Sequence, residues 1–192
     1  MSRRTIVSVV GSAGVREGSA AYVAARELGR LLVDDGHRVM TGGLAGVMEA
    51  ACRGAHESSR YREGDTIGIL PQADPAHANA YVDIVLPTGL DHARNTIVAN
   101  ADAVIVVDGG AGTLSEIAFA WMYKRLIVAL DMGGWGTELG GRKLDHRQRS
   151  DHPEEDCVFA AGAPSEAVEI VRARIAAYTG RHRGIAVRSR EG

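Results

Sequence analysis

The sequence predicts an α/β protein in which a parallel sheet is covered by helices on both faces. Short β-branched apolar runs alternate with stretches of helical periodicity along most of the 192 residues. Three of the strand-to-helix junctions pass through glycine-rich turns. The composition, 45% hydrophobic and 24% charged, is that of a globular chain long enough to bury a core without disulfides or structural metal.

The elements follow in order. Thr5 to Val10 is a β-branched strand ending at Gly11-Ser12-Ala13-Gly14, and Ser19 caps a helix whose Val23, Ala24, Leu28, Leu31 and Leu32 recur at helical spacing. Gly36 closes that helix, Arg38 to Met40 extends again, Gly42-Gly43 breaks the run, and Val47 to Cys52 is a second helix. Thr66 to Leu70 is a third strand and Tyr81 to Leu86 a fourth, followed by a helix with a polar start from Asp91 to Ala101. Ala103 to Val107, the most apolar strand, meets Asp108-Gly109-Gly110-Ala111-Gly112-Thr113. Leu114, Ile117, Ala118, Trp121 and Met122 then define another helix, and Leu126 to Leu130 another strand. From 131 to 156 the periodicity lapses into a Gly-rich, charged loop or flap. Cys157 to Ala160 resumes a strand, and Ser165 to Tyr178 closes the fold as a helix. The expected layout is one domain over 1–180 with an Arg-rich, solvated tail over 181–192.

Composition excludes several function classes. With 22 basic and 24 acidic residues the net charge is −2, which offers no broad attraction to nucleic acid or to an anionic membrane. Neither a signal-peptide core nor a run of about 20 apolar residues is present, so no membrane partner is expected. The two cysteines, Cys52 and Cys157, suit a reducing cytoplasm and lack zinc-site spacing. His37, His56, His77 and His92 are scattered without ligand spacing, and no metal is expected. The charges at Asp145, His146, Asp151, His152, Glu154 and Glu155 read as solvated loop, and Trp121 as a core or dimer contact.

Ligands of open parallel sheets bind beyond the carboxyl ends of the strands, where helix N-termini present free N–H groups. Three glycine loops fall there: one with Gly11 and Ser12, one with Gly42, Gly43 and Gly46, and one with Gly109, Gly110, Gly112 and Thr113. Together they point to a phosphorylated small molecule. None matches the dinucleotide fingerprint or the P-loop with its lysine. Glu116, three residues after Thr113, has two readings: a capping box with Thr113 in the first helical turn, or a carboxylate held beside the bound phosphate. Arg94 reads either as a surface arginine or as the cation that meets the phosphate.

Two segments carry a family resemblance. G-G-L-A-G-V-M-E-A-A-C-R-G from Gly42 and D-G-G-A-G-T-L-S-E from Asp108 resemble the LOG-type proteins of the SLOG superfamily, once labelled possible lysine decarboxylases. The resemblance spans about Ile6 to Leu130 and implies a three-layer Rossmann-like fold, with Arg94 and Glu116 as the catalytic pair and the glycines with Thr113 as the phosphate loop. It departs from the family pattern in Asp108, where a proline is usual, and in Asn95, where a lysine is usual. A carboxylate at 108 repels a phosphate unless it points away or binds a cation. The wording is closest to a branch that includes molybdenum-cofactor-carrier-like proteins.

The resemblance implies, first, hydrolysis of the N-glycosidic bond of a nucleoside 5′-monophosphate to free base and ribose 5-phosphate. Glu116 would stabilise the ribose or its oxocarbenium charge, and Arg94 would orient the base. The alternative is a carrier or sensor of a phosphorylated cofactor such as molybdopterin, without turnover. No further cofactor is required by either reading, beyond a bound nucleotide or phosphorylated pterin as ligand. Lysine decarboxylation is disfavoured, because the only lysines, Lys124 and Lys143, lie away from the glycine loops. The resemblance also implies a homodimer or higher homo-oligomer.

Overall fold

The structure is a computed structural model that describes residues 3–152 and 154–178. The Arg-rich tail expected over 181–192 lies outside the described residues. Strands β1 (Ile6–Gly11), β2 (Arg38–Thr41), β3 (Thr66–Leu70), β4 (Ile84–Pro87), β5 (Ala103–Val107), β6 (Leu126–Leu130) and β7 (Phe159–Ala161) form one sheet in the order β4-β3-β2-β1-β5-β6-β7. Every pairing is parallel, with Val7 opposite Ala103 and Gly11 opposite Val107 across the central β1–β5 pair. The chain runs outward from β1 in one direction and then returns to β5 on its other side. The β1–β5 border is therefore the topological switch point, where a crevice opens at the carboxyl ends of the strands.

The helices are α1 (Ala20–Asp34), α2 (Val47–His56), α3 (Asn95–Val98), α4 (Ala111–Met122), α5 (Gly134–Leu139) and α6 (Pro164–Arg174). Strand alternation sorts the core into two layers. Val7, Val9, Ile105 and Val107 pack with α1, α2 and α6 on one face. Val10, Val104 and Val106 pack with Val98 of α3 and with Ile117 and Trp121 of α4 on the other. The result is the three-layer α/β arrangement expected. Ser8, buried on the α3 face, satisfies its hydroxyl by donating to the Val98 carbonyl at 2.6 Å. On the opposite face α1 and α2 cross so closely that a Cβ on Gly29 would overlap the Ala51 carbonyl, and one on Gly54 the Arg26 carbonyl.

Several boundaries differ from the sequence expectation. The helix expected from Asp91 to Ala101 is a 3-10 turn, Asp91–Arg94, leading into the four-residue α3. No side chain caps its start, Asp91 has φ +50°, and the β-branched Thr96-Ile97-Val98 disfavours elongation. The fourth strand begins at Ile84 instead of Tyr81, β7 begins at Phe159, and the final helix tightens into a 3-10 turn from Ile175 to Tyr178.

The stretch from 131 to 156 is also more structured than its composition suggests. It contains α5, and its later part is anchored by Arg149, whose side chain is fully buried. Arg149 donates to Asp156 through Nε (3.1 Å) and Nη2 (2.6 Å) and to the Arg125 carbonyl through Nη1 (2.7 Å). Its guanidinium lies 3.5 Å from the Trp121 ring centroid. The Tyr178 hydroxyl donates to Asp156, and the Trp121 indole N–H donates to Asp145 at 2.7 Å. Trp121 thus packs within its own chain, and Asp145 is engaged by it. Among the described residues no helix is long and apolar enough to cross a membrane, and no group of His, Cys, Asp and Glu is placed to hold a metal.

Candidate functional site

The three glycine loops converge on the crevice at the β1–β5 border. They enclose a recess of about 250 Å³ lined by Gly11 and Ser12 from the β1 loop, Gly42, Leu44 and Met48 from the β2 loop and α2, and Gly110, Gly112, Thr113 and Glu116 from the start of α4. The turn before α3 contributes His92, Arg94 and Asn95.

Each loop is shaped by a specific constraint. The β1 and β2 loops touch: Val47 N–H donates to the Ser12 carbonyl at 3.1 Å, and Gly46, at φ +67°, would place a Cβ 2.7 Å from the Ala13 carbonyl. Only glycine meets both the conformation and the space there. Gly43 turns away from the recess and packs beneath Leu70. Asn79 holds this loop from below, its amide donating to the carbonyls of Gly43 (3.1 Å) and Leu44 (2.9 Å). Nothing in the sequence around Asn79 signals that role, because it depends on a partner some 35 residues away. In the β5 loop Gly109 has φ +113°, and a Cβ there would come within 2.5 Å of the Thr113 Cβ.

Gly110 is the N-cap residue of α4, without a side-chain cap, and the first intrahelical bond runs from Leu114 N–H to its carbonyl at 2.9 Å. The N–H groups of Ala111, Gly112 and Thr113 therefore precede the helical ladder, at the positive end of the helix and at the rim of the recess. This corrects the position of Glu116. It stands in the second turn, not the first, and Thr113 is not a cap, so the capping-box reading fails.

Arg94 and Glu116 meet inside the recess. Arg94 Nη1 lies 3.3 Å from Glu116 Oε1, with only about a tenth of either side chain exposed. Arg94 is therefore not a surface arginine. Its guanidinium lies over Gly42, whose missing side chain makes room for it: a Cβ would fall 2.5 Å from Nη2. Burial raises the Glu116 pKa to about 7, with the Arg94 charge opposing the rise. Burial likewise lowers the Arg94 pKa, against the pull of Glu116. The buried Nε of Arg94 has no hydrogen-bond partner among the described residues.

The two departures from the family pattern each have a structural account. Asn95 donates to Ser115 Oγ (2.9 Å) and the Gly112 carbonyl (3.4 Å), tying the Arg94 turn to the first turns of α4. Asp108, at φ +59°, directs its carboxylate onto the loop after β6, where a Cβ on Gly134 would lie 2.7 Å from its Oδ1. It does not line the recess, which removes the expected repulsion. Trp135 N–H donates to the Gly109 carbonyl at 3.1 Å, docking that loop onto the glycine turn.

Gly11, Ser12, Gly42, Gly110, Gly112, Thr113, Arg94 and Glu116 thus line one recess, while Gly43, Gly46 and Gly109 shape its loops from behind. His92, read from sequence as an isolated histidine, lies at the mouth. Lys124 follows the far end of α4, a helix about 18 Å long at 1.5 Å per residue.

Comparison with known proteins agrees with this architecture. The molybdenum cofactor binding protein of the phototrophic bacterium Rippkaea orientalis is 30% identical, with a TM-score of 0.72 over 89% of this chain and 97% of that one. The molybdenum cofactor carrier protein of Chlamydomonas reinhardtii is 29% identical, with a TM-score of 0.69 over 90% of this chain and 99% of that one. An uncharacterized protein of Archaeoglobus fulgidus is 37% identical over 125 residues, which is 65% of this chain and 78% of the relative. The SLOG cluster4 family profile matches residues 4–168, and the chain belongs to that family.

Proposed function

We propose that this protein binds and carries a phosphorylated small molecule, with a phosphorylated pterin of the molybdenum-cofactor class as its cargo. The observation that carries the reading is the likeness to two molybdenum-cofactor-binding proteins along about nine tenths of the chain. The recess fits such a cargo at its phosphate end. Ser12 and Thr113 supply hydroxyls, the first turn of α4 supplies backbone N–H groups, and Arg94 supplies a cation with unused donors. At about 250 Å³ the recess lies just below the roughly 300–1,000 Å³ of a site that engulfs a whole ligand, so it takes the phosphate and adjoining atoms. The rest of the cargo then extends past the mouth.

The test is to express the chain in a host that makes the cofactor and to measure bound pterin by fluorescence after oxidation, with molybdenum counted by mass spectrometry. Near-stoichiometric pterin in the wild type and its loss in Arg94→Ala support the reading. Absence of pterin after both co-expression and reconstitution overturns it.

The hydrolytic reading stands second, and the meeting of Arg94 with Glu116 in the recess favours it. Base release from a panel of nucleoside 5′-monophosphates, with Glu116→Ala beside the wild type, decides it. As part of the carrier reading we expect a cytoplasmic homodimer or larger assembly. The exposed Ile97 and Met122 beside the α3–α4 layer are offered as its contact, and light scattering after gel filtration reads the state.

A further inference from the structure

The recess contains one cation and one anion that cancel each other, an odd arrangement for a site that receives a phosphate. Arg94 makes a single contact with Glu116, and its Nε is buried without a partner among the described residues. A guanidinium has five donors in a rigid fork, and among the described residues this one, at the wall of the recess, has Glu116 as its one hydrogen-bond acceptor. Glu116, for its part, has Arg94 as its only hydrogen-bond partner among the described residues. When a phosphate approaches Arg94, the Glu116 carboxylate becomes a like charge within the same buried space, where such repulsion is weakly screened.

From these contacts, and resting on the proposed phosphate-binding reading, we infer that Glu116 makes the recess a proton-coupled anion site. It is the counter-ion of Arg94 until an anion binds, and it then takes up one proton from solvent. The Arg94 donors then turn to the ligand, and the neutral carboxyl can itself donate a hydrogen bond to a phosphate oxygen. No covalent bond forms or breaks, and the proton returns to solvent when the ligand leaves. The burial that holds Glu116 near neutrality already lowers the cost of this step.

The other charged groups nearby do not supply the proton linkage by their placement. Asp91 and His92 stand on the turn that carries Arg94, both highly exposed, and of the two only His92 lines the recess. Glu49 of α2 faces the Tyr22 hydroxyl of α1, and Asp108 faces the loop after β6. Among the residues lining the recess, His92 is the one histidine, so its replacement serves as the control.

The experiment measures the dissociation constant of sulfate, a dianion that does not titrate in this range, from the rise in melting temperature with sulfate concentration between pH 6.5 and 8.5. The wild type should bind at least tenfold more weakly at pH 8.5 than at pH 6.5. Glu116→Gln, which mimics the protonated carboxyl, should vary less than twofold and bind more tightly than the wild type at pH 8.5. His92→Ala should keep the wild-type slope. Titration calorimetry of the wild type at pH 8 in buffers of different ionisation heat counts the proton directly and does not depend on the variant folding. Sulfate binding without proton uptake, loss of binding at pH 6.5 in Glu116→Gln, or a flat profile in His92→Ala each overturns the inference while leaving the phosphate site standing. A wild type that binds neither sulfate nor AMP at any pH overturns both.

Discussion

Gly42 and Arg94 adjoin so closely that a single methyl group does not fit between them, since a Cβ at Gly42 would fall 2.5 Å from Nη2 of the guanidinium. The glycine at the end of β2 is therefore part of the arginine's seat, although the two residues come from different loops.

Gly42→Ala is expected to push Arg94 off its position without unfolding the protein, because the obstructed group is the far end of a flexible side chain. Anion affinity should fall at least tenfold, while the melting temperature moves by no more than a few degrees. Titration calorimetry with AMP, read beside a thermal melt, checks both halves. A variant that binds as the wild type does removes Arg94 from the binding site.

Asp108→Pro restores the residue usual in the resembling family, yet here it should be harmful. Proline is locked near φ −65°, whereas residue 108 sits at φ +59°. The loss expected is about 3 kcal/mol or more, with disruption of the loop that leads into α4. Asp108→Gly adopts the same φ without strain and should be tolerated or slightly stabilising. Urea denaturation of the two variants beside the wild type gives the comparison.

Removing Arg149 leaves Asp156 buried without its cation and withdraws the group stacked on Trp121. Truncation of one partner of a buried pair costs about 3–5 kcal/mol, so Arg149→Ala should lower the melting temperature by roughly 10 °C. Trp121 emission should shift red as the segment beyond α5 detaches. A melting temperature within two degrees of the wild type would refute this anchoring role.

Glu116 also sets a pH dependence of stability. Its pKa is near 7 folded and about 4.5 unfolded, so between those values the folded chain holds a proton that the unfolded chain has released. Stability from this group is therefore full below about pH 4.5 and lost as pH rises toward and through 7, by at most about 3 kcal/mol. Between pH 5 and pH 8 the stability of Glu116→Gln should improve relative to the wild type. Urea midpoints at the two pH values test the sign, and a constant difference between the proteins would contradict it.

The order of strands and helices was legible because its signals are local. Val7, Val9, Ile105 and Val107 alternate with the residues of the opposite face, and Leu28 and Leu32 repeat one helical turn apart, since each element buries one side. Most of the recess was legible for a related reason: a parallel sheet puts its strand-end loops on one edge, so Gly11, Gly42 and Gly110 had to gather there. The turn at Asp91–Arg94 was less legible, because a polar start followed by apolar residues does not reveal that β-branched side chains and a missing cap cut the helix short.

By itself the sequence determined the alternating architecture, the crevice edge and the residue types that reach it. It took the packing of the folded chain to bury Arg94 against Glu116, to turn Asp108 away from the recess, and to root the irregular segment through Arg149 against Trp121, Asp156 and Tyr178. The physical reason is one of range. Periodicity records which side of an element is apolar, but the state of a charged side chain depends on partners brought to it from distant positions. A buried arginine with its carboxylate and a solvated arginine are written with the same letter.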